Sequence, residues 1–398
     1  MHTRVLSSYS DTNCGCSESW SPGREKAVAF LRPVLQRRKQ RPATITGKHL
    51  LAMALLSRLG TQIVSWWQDT PLPNEPDTTS LFQAWHMFDG SSKRWSPVGG
   101  RLTSNDDPNE EHHGEDLDRK LVLVTWNVDA TSSSPEKRIS GIISNILSLT
   151  PVADVVFLQE VSRAALSFIL DDPSVRQRWY SSEADAVGWE GQSFACMTLL
   201  SKARFGHPRE SAPRATLGPV WRVKYPSRFG RDALCCDVLF PSSGSGRART
   251  RVRLINVHLD SLPIQPSRRP RQISAITSLI RSAGRGLVAG DFNPVLSEDE
   301  TLVQDNGLVD AWVELRPQDP GYTWGIDGKQ PFPPNRLDKI ATLGLQVEAI
   351  EVMHPDIIPT SESTWAERNP GQHPERDGDV SVPWSDHSGL KCSFEIPT

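Results

Sequence analysis

The chain predicts an α/β fold from residue 119 onward: two packed mixed β-sheets flanked by helices, four layers in all. Three observations carry this. Apolar runs of strand length recur, amphipathic helical segments fall among them, and the strands end in carboxylates, Asn and His.

Leu121 to Thr125 is the first such run. Ser134-Pro135-Glu136 then predicts a helix start, with an N-cap, a first-turn Pro and an acid near the positive helix end. Ile139, Ile142, Ile143, Ile146 and Leu147 follow at helical spacing, which predicts one buried face. Val155 to Leu158 is the next buried strand, so the order is strand, helix, strand. Further strands are expected over Ala195 to Leu200, Ala233 to Phe240, Val252 to Leu259, Gly286 to Ala289, Leu337 to Ala341 and Gly389 to Phe394. A second helix is expected over Gln272 to Ile280, with Ile273, Ile276 and Ile280 on one face. Many strands with few helices suit two packed sheets with the helices outside.

The 398 residues leave room for extensions to this domain. Residues 1–45 are rich in Ser, Arg and Pro and read as a disordered basic arm, within which Arg37-Arg38-Lys39-Gln40-Arg41 is either a nuclear import signal or a solvated tail. Residues 46–103 read as an N-terminal extension. It has a short amphipathic helix over Leu50 to Trp67 and an aromatic set (Phe82, Trp85, Phe88, Trp95) that adds strands to the domain after it. Residues 104–118 read as an acidic linker. No uncharged apolar run reaches the roughly 18 residues of a membrane span, and Arg58 and Gly60 break the best candidate. No membrane partner is therefore expected. Six Cys without a C-x-x-C pair predict an intracellular, reducing compartment. The net charge of −3 makes no argument for bulk nucleic-acid binding, although twelve basic residues stand against three acids from Lys202 to Arg253. That stretch either follows a phosphate backbone or forms a solvated face.

The polar residues at the strand ends carry the function. They are Asn127 and Asp129 after the first strand, Gln159-Glu160 after the second, His258-Leu259-Asp260-Ser261, Gly290-Asp291-Phe292-Asn293, Arg336-Leu337-Asp338, and Ser385-Asp386-His387 before the last strand. An unpaired carboxylate or imidazole costs several kcal/mol to bury, so such groups pair, bind a metal or face a cleft. Carboxylates with oxygen-donor neighbours and no Cys favour a hard ion, Mg²⁺ with Mn²⁺ as a substitute. Mg²⁺ completes its shell with substrate phosphate, so a phosphate ester is the natural substrate. Singly, Asp129 could cap a turn, Asp338 could pair with Arg336, and His258 could be a satisfied core histidine. Arg269, Arg271 and Gln272 read most simply as capping or solvated residues.

Residues 119 to 398 resemble the endonuclease/exonuclease/phosphatase superfamily, which implies a DNase I-like fold. Gly-Asp-x-Asn and Ser-Asp-His occur together and in that family's order. The wording is most similar to its tyrosyl-DNA phosphodiesterase branch, on Thr125-Trp126-Asn127-Val128-Asp129, Gln159-Glu160-Val161, Gly230-Arg231-Asp232-Ala233-Leu234-Cys235, His258-Leu259-Asp260-Ser261 and Tyr322-Thr323-Trp324. That branch typically reads His-Leu-Glu-Ser, Gly-Asp-Thr-Asn and Ser-Asp-His-Trp, where this chain has Asp260, Phe292 and Ser388.

The resemblance implies that Glu160 is the principal metal ligand, with Asn127 and Asp129 beside it and Asp386 completing the site. It implies that Asp291 orients or deprotonates the attacking water, held by Asn293, and that His258 donates to phosphate. His387 would stabilise the transition state, oriented by Asp338. Arg231, Ser261 and Trp324 are implied on the substrate side, with surface exposure the alternative for Arg231 and packing for Trp324. The expected protein is a Mg²⁺-dependent phosphodiesterase, a monomer, acting on single-stranded DNA or DNA ends that carry a 5′-phosphotyrosyl peptide adduct in DNA repair, with the nucleus ahead of the cytoplasm. Other activities of the superfamily and a non-catalytic nucleic-acid-binding scaffold are the alternatives.

Overall fold

A strand buried on both faces needs apolar residues at nearly every position. Lys120–Asn127 meets this with seven consecutive buried residues, and Gly286–Asp291 is buried throughout. The computed structural model describes residues 80–98, 119–189, 191–206, 215–241, 249–358 and 382–397, all within one compact unit, Gln68–Thr398. The basic arm, the Leu50 to Trp67 helix, the acidic linker, and Arg209, Arg214 and Arg247 of the basic stretch lie outside the described residues.

In chain order the strands begin with β1 (Ser80–Gln83), β2 (His86–Asp89), β3 (Arg94–Pro97), β4 (Lys120–Asn127), β5 (Val155–Ser162), β6 (Trp179–Ser181), β7 (Phe194–Ser201) and β8 (Phe205–Gly206). They continue with β9 (Ala215–Lys224), β10 (Asp232–Pro241), β11 (Arg249–His258), β12 (Gly286–Asp291), β13 (Val309–Asp310), β14 (Asp338–Leu343), β15 (Gln346–Met353) and β16 (Gly389–Glu395). The helices that matter to the site are α1 (Pro135–Ser148), α2 (Arg163–Asp171) and α3 (Pro173–Arg178), which flank β5, and α4 (Arg269–Ala283), which follows β11. Two eight-stranded sheets result. The first runs β1-β9-β10-β11-β12-β14-β13 with β8 beside β9, and the second runs β15-β16-β4-β5-β7-β6-β2-β3. This is the expected DNase I-like sandwich of two mixed sheets with helices outside.

The core has three layers. Leu121, Leu123, Val155, Phe157, Leu254, Leu287 and Ile340 pack between the sheets. Val124, Trp126, Val156 and Leu158 face α1 and α2, while Ile255, Val257 and Val288 face α4. Among β4, β5, β11 and β12, the pairs β4–β5 and β11–β12 are parallel, joined by crossovers through α1 and α4. Each crossover brings two strand C-termini to the same rim, the place where open α/β sheets take their ligands. β14 enters that rim antiparallel, with Asp338 opposite Asp291.

Five strands escape sequence reading, of which β6, β8 and β13 are only two or three residues long. β9 contains Gly218-Pro219, which argues against a strand, and β15 is half exposed without clean alternation. The aromatic segment divides itself, with β1 joining the first sheet and the β2–β3 hairpin joining the second. Ser134 stands at the α1 N-cap position but does not cap with its side chain; its φ of 56° turns the chain from the preceding loop into the helix. Among the described residues, no helix is long and apolar enough to cross a membrane.

Gly290 is required by space. Its φ is 137°, and a Cβ there would stand 2.0 Å from the Val257 carbonyl oxygen of the neighbouring strand. Gly290→Ala is expected to destabilise the protein by roughly 2–4 kcal/mol, read as a lower midpoint in thermal or urea unfolding; an unchanged midpoint refutes the packing.

Candidate active site

The second sheet supplies Asn127 and Glu160. Along β5, Val155 and Phe157 face the other sheet while Val156 and Leu158 face the helices. Simple alternation would send Glu160 to the helix layer with Leu158. A bulge between Leu158 and Val161 prevents it. Gln159 and Glu160 both turn toward the first sheet, and Val161 returns to the helix layer. The cost is a left-handed backbone at Glu160, φ 57°. The Ala130 N–H donates to Glu160 Oε2 at 3.0 Å, and Asn127 Nδ2 stands 3.5 Å from Oε1.

The first sheet supplies His258, Asp291, Asn293 and Asp338. Asn127 Nδ2 reaches across to donate to Asp291 Oδ2 at 3.0 Å, and the Asn293 N–H donates to Oδ1 at 3.0 Å. Asn293, φ 47°, donates through Nδ2 to the Leu259 carbonyl at 3.4 Å. His258 is buried, its Nε2 3.4 Å from Asp291 Oδ2 and 3.8 Å from Glu160 Oε1, and neither ring nitrogen makes a hydrogen bond. His387 enters from the turn before β16. Its carbonyl accepts from Trp126 Nε1 at 3.0 Å, and its N–H donates to Ser385 Oγ at 3.1 Å. Its Nδ1 lies 2.8 Å from Asp338 Oδ2, and its Nε2 points at Asp291 Oδ2 from 4.0 Å. A carboxylate only accepts, so Nδ1 carries the proton. Arg336 takes no part, since its guanidinium is paired with both Asp310 oxygens.

Burial, reinforced by Asp338 and Glu160 and opposed by His387, lifts the Asp291 carboxyl to about 7. Burial likewise raises Glu160, against the pull of Arg231. Burial also acts against charge on His387, but Asp338 and Asp386 outweigh it and hold the imidazole well above its ordinary value. At His258 burial and the charges of Arg231 and His387 act together, so that ring is neutral. The site therefore contains one cationic and one neutral imidazole beside carboxyls that burial raises, Asp291 to about 7, a pattern of acid–base sites.

Asp129 spends its carboxylate on its own turn. Oδ1 accepts from the Thr131 N–H and Oγ1, Oδ2 accepts from Ser132 Oγ, and Arg138 stands 3.4 Å away. Asp386 Oδ2 accepts from Trp324 Nε1 at 3.1 Å; its charge is felt at Glu160, and the charge of Asp129 at Asp386. Arg231 donates to Ser261 Oγ at 3.3 Å and lies over the Phe194 ring at 4.8 Å. It borders a small cleft lined also by Gln192, Phe194, Cys196, Asp232 and His258. The remainder of the Lys202 to Arg253 stretch is in part structural, with Arg222 buried on Glu183 and Asp232 and Arg253 on Asp237.

Sequence reading misses the residues that hold the rim. Buried Arg138 donates to the carbonyls of Val128, Asp129 and Trp384, joining the two loops that carry Asp129 and Asp386. Arg269 and Gln272 prove to be buried rather than capping or solvated. Arg269 pairs with Asp299 and donates to the Asp260 and Leu262 carbonyls, while Gln272 takes the Asp260 N–H. Helical periodicity marks apolar faces, and nothing in it announces a polar residue that bonds to backbone.

The donor set fits a hard divalent cation. Asp291, Asp338 and His387 offer ligand atoms within 4.8 Å of one another. Glu160 stands against Asn127 and Asp291, and buried Asp338 Oδ1 has no hydrogen-bond partner. Asp338 and His387 are bonded to each other, and Asn127 turns its amide nitrogen toward the cluster while its Oδ1 accepts from the Asp129 N–H, so the Glu160 carboxylate is the better seat for an ion.

A model of the Endonuclease/Exonuclease/phosphatase family matches residues 124–387. Among solved structures, D. rerio TDP2 humanised by 14 mutations is 22% identical, with a TM-score of 0.51 over 70% of this chain and 100% of that one. D. rerio TDP2 complexed with single-strand DNA product is 22% identical, with a TM-score of 0.50 over 70% of this chain and 100% of that one. These likenesses show the shared fold. Curated proteins yield no match.

The His387–Asp338 bond is open to direct test. Asp338 is the foremost charge raising the His387 pKa, so Asp338→Asn is expected to lower it. Histidine NMR titration of metal-free protein reads this, and an unmoved His387 signal refutes the assignment.

Proposed function

The chain belongs to the endonuclease/exonuclease/phosphatase family, whose members hydrolyse phosphodiesters or phosphate esters, and from that premise we propose a Mg²⁺-dependent phosphodiesterase that removes 5′-phosphotyrosyl peptide adducts from DNA ends. The observation carrying hydrolysis is the convergence of Asn127, Glu160, His258, Asp291 and the His387–Asp338 pair from two sheets onto one rim. A binding module has no need of a protonated imidazole aimed at a carboxylate lifted to about 7. Substrate choice is supported by the motif resemblance and by the aromatic and basic groups at the rim: Arg231 over Phe194, half-buried Trp324 and exposed Tyr322. Single-stranded DNA ends are the expected partner, a monomer the expected state and the nucleus the expected place of action.

Glu160 would hold Mg²⁺, leaving Asp291 beside it to act on water. When bound, the ion neutralises charge on the phosphate and polarises its oxygen. Asp291, oriented by Asn127, accepts the proton of the attacking water; a carboxyl near 7 suits a base at neutral pH. Water oxygen bonds to phosphorus as the phosphorus–tyrosine oxygen bond breaks. His387 donates through Nε2 to the oxyanion while Asp338 holds its Nδ1 proton. His258, neutral and without a partner, is free to donate to a second phosphate oxygen. The leaving phenolate has a conjugate pKa of about 10, so it departs without a strong acid.

An oligonucleotide with a 5′-phosphotyrosine is the first substrate to assay, with Mg²⁺ and with EDTA. Metal-dependent release of 5′-phosphate DNA is expected, lowered at least roughly 100-fold in Glu160→Gln and Asp291→Asn. Cleavage of abasic DNA, RNA tails or phosphoinositides instead would keep the hydrolytic site and overturn the substrate. Inertness on all of them would favour the binding scaffold.

A further inference from the structure

We infer that Asn256 is a positioning residue for Glu160, acting across the gap between the two sheets. The assignment rests on the reading of Glu160 as the principal metal ligand.

Asn256 lies on β11 two residues before His258, fully buried and on the strand face that looks at the second sheet. Below it on the same face are Leu254 and Val252, ordinary members of the apolar layer between the sheets. A carboxamide in that layer is costly unless every polar atom is bonded. Its Nδ2 donates to the Met197 carbonyl at 2.9 Å and the Leu158 carbonyl at 3.3 Å, and its Oδ1 accepts from Gln159 Nε2 at 2.8 Å. Two carbonyls facing one end of the side chain fix which end is the amide nitrogen. Gln159 Nε2 has a second acceptor in Thr125 Oγ1 at 3.0 Å.

The partners identify the role. Leu158 and Met197 are paired across β5 and β7 at the last position before the bulge, and Gln159 is the bulged residue beside Glu160. One side chain of the first sheet thus grips both strands of the second where the ladder breaks, as well as the side chain of the inserted residue. A non-glycine residue at φ 57° persists only when its surroundings over-determine it. Asn256 supplies three of those restraints. Because it rides on the strand that carries His258, it also ties the position of Glu160 to that of His258, 3.8 Å away. The space is tight: a Cβ at Gly290 would stand 3.1 Å from Gln159 Nε2.

The test is Mn²⁺ titration calorimetry on the metal-free full chain. It compares wild type with Asn256→Leu, which keeps the shape and removes the bonds, and Leu254→Ala, which injures the same apolar layer two residues away. Asn256→Leu is expected to weaken Mn²⁺ binding roughly tenfold or more, with Leu254→Ala within about twofold of wild type however much stability it loses. Equal weakening in both variants, or wild-type affinity in Asn256→Leu, overturns the assignment while leaving the metal site intact. Should Asn256→Leu not fold, Asn256→Thr, which retains one donor, carries the same comparison. A wild type that binds no Mn²⁺ removes the metal reading of Glu160, and this assignment with it.

Discussion

The bulge at Gln159 and Glu160 is the feature on which the site depends, because strand alternation would otherwise deliver the Glu160 carboxylate into the apolar layer beneath α1 and α2, beside Leu158 and Val161. One inserted residue moves it to the opposite face, against Asn127 and within 4 Å of His258. The other site carboxylates need no such device. Asp291 shares the inward face of Leu287 and Ala289, and Asp338 that of Ile340. Strain therefore gathers at Glu160 and in the loops of the rim on both sheets. Of the six non-glycine residues with positive φ among the described residues, three are Asp129, Glu160 and Asn293, a concentration that points to function.

Once assembled, the site opposes folding electrostatically. Glu160, Asp291, Asp338 and Asp386 converge with one cationic imidazole between them, and burial raises the carboxyls of Glu160, Asp291 and Asp386. The surrounding scaffold carries the opposite arrangement, with buried arginines each matched to carboxylates or carbonyls. Arg269 on Asp299, Arg253 on Asp237, and Arg138 on three carbonyls leave no comparable excess of charge. Paired charges hold the loops, and the unbalanced ones are confined to the rim where a cation and a phosphate would meet them. That contrast separates structural from chemical carboxylates better than burial does, since Asp299 and Asp291 are equally buried.

The strands of the central sheets were legible because a segment buried on both faces must be apolar at nearly every position, as in Leu121 to Trp126 and Gly286 to Ala289. The site was legible because polar residues at the ends of such runs have no role in a core. What could not be read is of a different kind. Arg138, Arg269, Asn256 and Gln272 act through backbone carbonyls and N–H groups, which have no sequence of their own, so no spacing marks the pair. β9 was hidden by Gly218-Pro219, and β15 by its exposure. Ser134 looks like a cap because local chemistry allows it, whereas its left-handed backbone enters α1 with no cap bond from the hydroxyl.

The three departures from tyrosyl-DNA phosphodiesterase wording fall on residues that stand outside the reacting cluster. Phe292 points into the layer beneath α4, away from the face that Asp291 presents. Ser388 is buried with its hydroxyl 3.1 Å from His354 Nδ1. Asp260 has the farthest reach, because its carboxylate accepts from Ser227 Oγ and the Arg228 N–H, and Ser227 Oγ in turn accepts from the Phe229 and Arg231 N–H groups. The length of the side chain at position 260 thus governs how the 227–231 loop sits, and that loop carries the guanidinium beside the cleft at His258. A glutamate, one methylene longer, would push the loop outward. Asp260 therefore bears on the space beside Arg231 and not on the groups around Asp291, so the position shapes the flank of the cleft and leaves its acid–base centre alone.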